Sequence, residues 1–127
     1  MKQNYSKLPD GELEVMMAIW KCQIPAEREE ILSNMNKDTL PAITTLLTIL
    51  TRLNDKGYIR IIKNGRRSCY IPIVSYQEYL SMQSRSFLER LCDGRISLFA
   101  NALCDCGLTK QELKELAKMI EGNDPDE

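Results

Sequence analysis

A chain of 127 residues, 43% hydrophobic and 28% charged with a net charge of −1, suits one ordinary globular domain or a small domain with an oligomerisation segment. No apolar run approaches the roughly 20 residues of a membrane span, and Met1-Lys2-Gln3-Asn4-Tyr5-Ser6-Lys7 lacks a signal-peptide core. A cytoplasmic protein without membrane insertion is expected. Histidine is absent, which removes Ser-His and Cys-His nucleophile pairs and histidine-bearing metal sites. No paired carboxylates stand out, so no enzyme, cofactor or catalytic residue is assigned.

Leu13, Met16, Met17 and Trp20 recur at helical spacing, which predicts a first helix from about Asp10 to Lys21. Asp10 and Glu12 fall in its first turn, where the helix dipole favours negative charge. Pro25 suits the opening position of a second helix, with Glu27, Glu29 and Glu30 in its early turn and Ile31, Leu32 and Met35 as its buried stripe. Asn36-Lys37-Asp38 is turn chemistry.

A third helix is expected from about Pro41 to Lys56, closed by Gly57 as its C-terminal cap. Ile43, Leu46, Leu47, Leu50 and Leu53 form its apolar stripe. Thr44, Thr45, Thr48 and Arg52 lie on or near the opposite side, with Thr51 on the edge. Short hydroxyls allow close approach to a DNA groove, and threonine offers both a hydrogen bond and a methyl group. The pattern alone fits an ordinary solvated surface equally well.

Tyr58 to Lys63 is rich in strand formers, Asn64-Gly65 suits a two-residue type I′ loop, and Arg66 to Ile71 returns as the partner strand, ended by Pro72. Between residues 52 and 67 six basic residues face one acid, a local charge of +5. Helix, turn, helix and a basic-tipped hairpin together read as a winged helix. Thr44, Thr45, Thr48 and Thr51 would then face the major groove. Arg52 would hold the backbone or a guanine, and Lys63, Arg66 and Arg67 would clamp phosphates.

From residue 73 three more amphipathic helices are expected. Tyr79, Leu80, Phe87, Leu88 and Leu91 mark the first, Phe99 and Leu103 the second, and Leu113, Leu116 and Ile120 the third. Thr109-Lys110-Gln111-Glu112 fits a capping box at the start of the last, and the chain closes on an acidic tail from Gly122. So short a helical segment buries little alone and gains by packing on a copy of itself, which makes these ten residues the expected dimer face. The fold class is thus mainly α with a small antiparallel β-hairpin: residues 1–72 form a winged-helix DNA-binding domain and residues 73–127 a helical dimerisation domain. A winged helix reused for protein–protein contact is the competing class. The five cysteines form an odd set without framework spacing and are expected as reduced thiols. Cys22 and Cys69 are read as packing residues.

Several stretches, in order, resemble the penicillinase-repressor family of bacterial transcription factors. They are Gly11-Glu12-Leu13-Glu14-Val15-Met16 with Trp20, Thr44-Thr45-Leu46-Leu47-Thr48-Ile49-Leu50-Thr51-Arg52-Leu53, Lys56-Gly57-Tyr58, Asn64-Gly65-Arg66 with Tyr70-Ile71-Pro72, and Ser84-Arg85-Ser86-Phe87-Leu88. The resemblance implies a homodimeric repressor that covers a palindromic operator in double-stranded DNA. It also implies release by a membrane sensor-protease that responds to β-lactams, or by metal exchange in the copper-responsive branch. The family's cleaved Asn-Phe bond falls at Asn101-Ala102, where alanine stands in place of phenylalanine. The copper branch carries two C-x-C pairs, and this chain has one, Cys104-Asp105-Cys106, so no metal ligands are assigned.

Overall fold

The computed structural model of the chain describes residues 7–123. The first six residues and the expected acidic tail at 124–127 lie outside them. Helix α1 (Asp10–Lys21) is followed by a short strand β1 (Ala26–Glu27), helix α2 (Arg28–Ser33), a single 3₁₀ turn (Lys37–Thr39) and helix α3 (Ile43–Asp55). Strands β2 (Ile59–Asn64) and β3 (Arg67–Pro72) form the hairpin, and helices α4 (Tyr76–Leu91), α5 (Ile96–Asp105) and α6 (Lys110–Gly122) complete the chain. Contacts divide it into two compact units, Met1–Gln83 and Ser84–Glu127.

The first unit is a winged helix. Its core is built from Val15, Met16 and Ile19 of α1, Ile31 of α2, Leu46, Leu50 and Leu53 of α3, and Tyr58 and Tyr70 of the hairpin region. The buried face of α1 is rotated from the expected stripe: Val15 and Ile19 are fully buried, while Leu13, Met17 and Trp20 are only partly so. Trp20 packs against the core and donates from Nε1 to the Val74 carbonyl at 3.0 Å, with its ring against Tyr76 and Tyr79.

Pro25 does not open α2. Ala26 and Glu27 first pair with Tyr70 and Cys69 of β3, so the sheet has three strands in the order β1-β3-β2. Ala26 is fully buried in that position, and the pairing satisfies backbone groups that a helix would otherwise have used. The hairpin loop also sits one residue beyond the expected place. Asn64 pairs with Arg67, leaving Gly65 and Arg66 as the two loop residues. Only Gly65 has a positive φ, +68°, which is the type II′ pattern, with glycine at the first loop position.

Helix α3 ends as expected at Gly57, whose φ is +85°. Tyr58 N donates to Leu53 O at 2.9 Å and Gly57 N to Asn54 O at 3.1 Å, the paired bonds of a Schellman cap. This cap sends the chain from α3 directly into β2. Asn54 Oδ1 then accepts from Ile61 N at 3.2 Å, which ties the base of the wing to the end of α3.

The first unit continues past the hairpin through the start of α4. Ser75 and Glu78 cap that helix reciprocally, Glu78 N donating to Ser75 Oγ and Ser75 N to Glu78 Oε1, both at 3.0 Å. Tyr79 is buried in this unit's core and accepts a hydrogen bond on its hydroxyl from Leu8 N at 3.0 Å. Expected on a dimer face, Tyr79 instead belongs to the interior, because its ring fills the space beside Trp20 and Tyr58. In the second unit the Thr109–Glu112 capping box forms as read from the sequence. Among its described residues only Cys92 is buried, although the Phe87 and Phe99 rings meet at 5.6 Å.

Candidate nucleic-acid interface

Three residues of α3 are buried, Leu46, Leu50 and Leu53, and they fix which side of the helix faces out. Counted at 3.6 residues per turn, the opposite side is centred on Thr44, Thr48 and Thr51. Thr51, expected on the edge, stands near the middle of the exposed face. All four threonines and Arg52 are exposed. Two of the hydroxyls are already committed as donors: Thr48 Oγ1 donates to Thr44 O and Thr51 Oγ1 to Leu47 O, each at 3.0 Å. These groups keep their lone pairs and methyl groups for an outside partner.

A cleft lies on each flank of this face. Thr45, Thr48 and Arg52 line one of them together with Ile49 and with Pro9, Gly11 and Glu12 at the start of α1. The other, of about 220 Å³, lies between α3 and the wing and is lined by Leu47, Arg66, Arg67, Ser68 and Tyr70, with Glu27, Arg28 and Glu29 on its far wall. Three arginines and two glutamates, Glu27 and Glu29, therefore share a cleft that opens beside Leu47 of α3. Arg67 is within 3.5 Å of Glu27, an ion pair exposed on both sides. Arg66, at the tip of the loop, has no ion pair among the described residues. Lys63 is exposed on β2 and lines neither cleft. Burial pushes the Tyr70 phenol above its ordinary range, opposed by the Arg28 cation.

The charge of +5 counted over 52–67 is reduced in place. Lys56 is ion-paired with the buried carboxylate of Glu12 and so serves the packing of α1 on α3. The structure adds residues that sequence reasoning missed. Leu47 and Ile43, expected in the apolar stripe, are 39% and 45% exposed, Leu47 at the flank between the buried and threonine sides and Ile43 in the first turn. Arg28 carried a usable signal: it is a cation at the first position of a helix, where the dipole disfavours positive charge, within the acidic run Glu27-Arg28-Glu29-Glu30.

The sequence pattern of the penicillinase repressor family matches residues 8–122, which takes in both units. The chain belongs to the penicillinase repressor family. Among members of that family, the penicillinase repressor of Bacillus licheniformis is 33% identical over 116 residues, covering 91% of this chain and 90% of the relative. The methicillin resistance regulatory protein MecI of Staphylococcus aureus (strain N315) is 29% identical over 118 residues, covering 90% of this chain and 93% of MecI. A solution structure of the monomeric form of Bacillus licheniformis BlaI in complex with the blaP half-operator is 33% identical, covers 62% of this chain and 94% of its own, and superposes with a TM-score of 0.49. Family members of this kind are repressors, and Asn101 and Ala102, where the family resemblance placed a cleaved bond, lie exposed within α5.

Cys104 and Cys106 are exposed, whereas Cys22, Cys69 and Cys92 are buried. Among the described residues no group of three or more cysteine, aspartate or glutamate side chains is placed to hold a metal ion. Cys22 is packed as expected, its Sγ donating to Ala18 O at 3.3 Å. Burial raises its thiol pKa above the ordinary value. No helix among the described residues is long and apolar enough to cross a membrane.

Proposed function

We propose that this chain is a DNA-binding transcriptional repressor that acts as a homodimer on a palindromic operator. The observation that carries the reading is the exposed threonine face of α3, flanked by a cleft with Arg28, Arg66 and Arg67 around it. A helix with short side chains enters a major groove closely, and guanidinium groups beside it meet the phosphates on either side. Membership of a repressor family supports the same reading. Thr44, Thr45, Thr48 and Thr51 face the bases, with Arg52 on a backbone phosphate or a guanine. Arg66, Arg67 and Lys63 act on the backbone from the wing.

The second unit supplies the dimer. Phe87, Leu91, Ile96, Met119 and Ile120 are large apolar side chains left 41–73% exposed, and Leu80 is exposed on the first half of α4. Leu88, Phe99, Leu103, Leu113 and Leu116 are only partly covered. A copy of the same surface offers them a matching partner, and two-fold symmetry then presents two recognition helices to two half-sites. Derepression acts on this unit, through a membrane sensor-protease or another signal, and the alanine after Asn101 departs from the family's cleaved Asn-Phe bond at Asn101–Ala102. Because that bond lies inside α5, the helix must open locally before a protease can hold an extended strand there.

A gel-shift titration against the DNA upstream of the protein's own operon, at several salt concentrations, tests the DNA reading. Arg66→Ala should weaken binding to all sequences alike and lower the salt slope by about one, the value for one lost phosphate contact. Absence of salt-dependent duplex binding in the unaltered protein would leave the winged helix as a protein-contact module instead.

A further inference from the structure

The recognition helix carries an apolar ridge that the family pattern and the charge count do not explain. Ile43 and Leu47 are one turn apart on α3 and are 45% and 39% exposed. A single exposed leucine needs no explanation. Leu47 stands on the flank of the face that would enter the groove and lines the cleft with Arg28, Arg66 and Arg67, while Ile43 lies one turn before it in the first turn of the helix. A duplex seated by those cations brings its base edges, and not water, against the ridge. Thr48 and Thr51 strengthen the apolar character, since both hydroxyl hydrogens are committed to helix carbonyls. At Thr48 and Thr51 the outer surface of α3 therefore offers methyl groups and acceptor lone pairs, while Thr44, Thr45 and Arg52 keep donors. The apolar group exposed on a major-groove base edge is the C5-methyl of thymine.

We infer that Leu47, with Ile43 beside it, selects thymine by packing against its C5-methyl group, so that each half-site carries thymine opposite this ridge. The inference rests on the DNA-reading function proposed above. Guanine and cytosine at those positions would leave polar edges desolvated against leucine, which adds discrimination on top of the lost methyl contact. Arg28, Arg66 and Arg67 set the register that brings the methyl group to Leu47.

The test uses the full chain and the tightest-binding duplex selected by it from a random-sequence library. Each thymine of that duplex is replaced singly by deoxyuridine, which removes one methyl group and leaves every hydrogen-bonding group in place. The unaltered protein should lose about fourfold in affinity at one or two thymines per half-site, the equivalent of one buried methyl-sized group. Leu47→Ala should show no loss at those thymines when each deoxyuridine duplex is compared with the parent duplex on the same variant, which cancels any overall change in its affinity. Equal sensitivity of Leu47→Ala and the unaltered protein at every thymine, or insensitivity of the unaltered protein throughout, would overturn the inference while leaving DNA reading intact. Failure to select any duplex with salt-dependent affinity would instead remove the function on which it rests.

Discussion

Glu12 is charged and nearly inaccessible, and its partner Lys56 comes from the far end of α3. The pair fastens the start of α1 to the end of α3, beside the cleft that holds Thr45 and Arg52. Replacing Lys56 with alanine leaves a carboxylate in a site only 7% exposed without its cation. The lysine side chain is itself 41% exposed, so water restores part of the lost interaction. Lys56→Ala should therefore cost about 1 kcal/mol, near the low end for an unpaired buried group, measured by urea denaturation. No loss of stability would mean that Glu12 is solvated despite its burial. Among the wing residues, Arg67 would have to exchange Glu27 for a phosphate in the proposed DNA complex. Arg66 has no such ion pair among the described residues, which makes it the better probe of the wing.

At the scale of elements, the exit from α3 is the point on which the interface depends. The Schellman cap at Gly57 turns the chain through a φ of +85° and delivers Tyr58 into the core and Ile59 into the sheet. An L side chain in that region of backbone space is strained by about 1–2 kcal/mol. Gly57→Ala should lower stability by that amount in thermal or urea unfolding. An unchanged midpoint would show that the α3–β2 junction relaxes without cost. The wing itself is anchored twice, by the Asn54–Ile61 bond at its base and by β1, which pairs with the outer edge of β3. That second anchor was not legible in the sequence. Ala26-Glu27 is too short to show an alternating pattern, and its partners Tyr70 and Cys69 lie far along the chain. The hairpin loop was legible as a two-residue loop with glycine, yet its register was not, since Asn64-Gly65 and Gly65-Arg66 both place glycine at an allowed position.

For the whole molecule, the two units differ in how much they bury. The first closes around residues from every one of its helices, while the second leaves Leu91, Ile96, Met119 and Ile120 more than 60% exposed. Exposed apolar groups gathered in one small unit mark an association surface more often than a free one. Ile120→Glu should convert a dimer to a monomer in sedimentation experiments and reduce affinity for a two-half-site operator. The unfolding midpoint of the first unit should stay where it is. A dimer that persists in this variant would place the interface elsewhere. The reciprocal case is Tyr79, which periodicity alone grouped with Leu80, Phe87 and Leu91; its burial and its hydrogen bond from Leu8 N assign it to the core of the first unit.

The order of the helices, the threonine face of α3, the Gly57 stop, the hairpin and the Thr109 cap were all determined by the sequence. Each rests on neighbours within a few residues, where dihedral preference and helical periodicity act. Tertiary structure decided what local pattern left degenerate. In α1, apolar residues at Leu13, Val15, Met16, Met17, Ile19 and Trp20 support more than one stripe, and packing against α3 chose Val15, Met16 and Ile19. In α3 it left Ile43 and Leu47 partly exposed, because the buried side is filled by Leu46, Leu50 and Leu53. It also brought Arg28 to the wing and assigned Lys56 to Glu12, contacts between residues too far apart in the chain for any short pattern to encode.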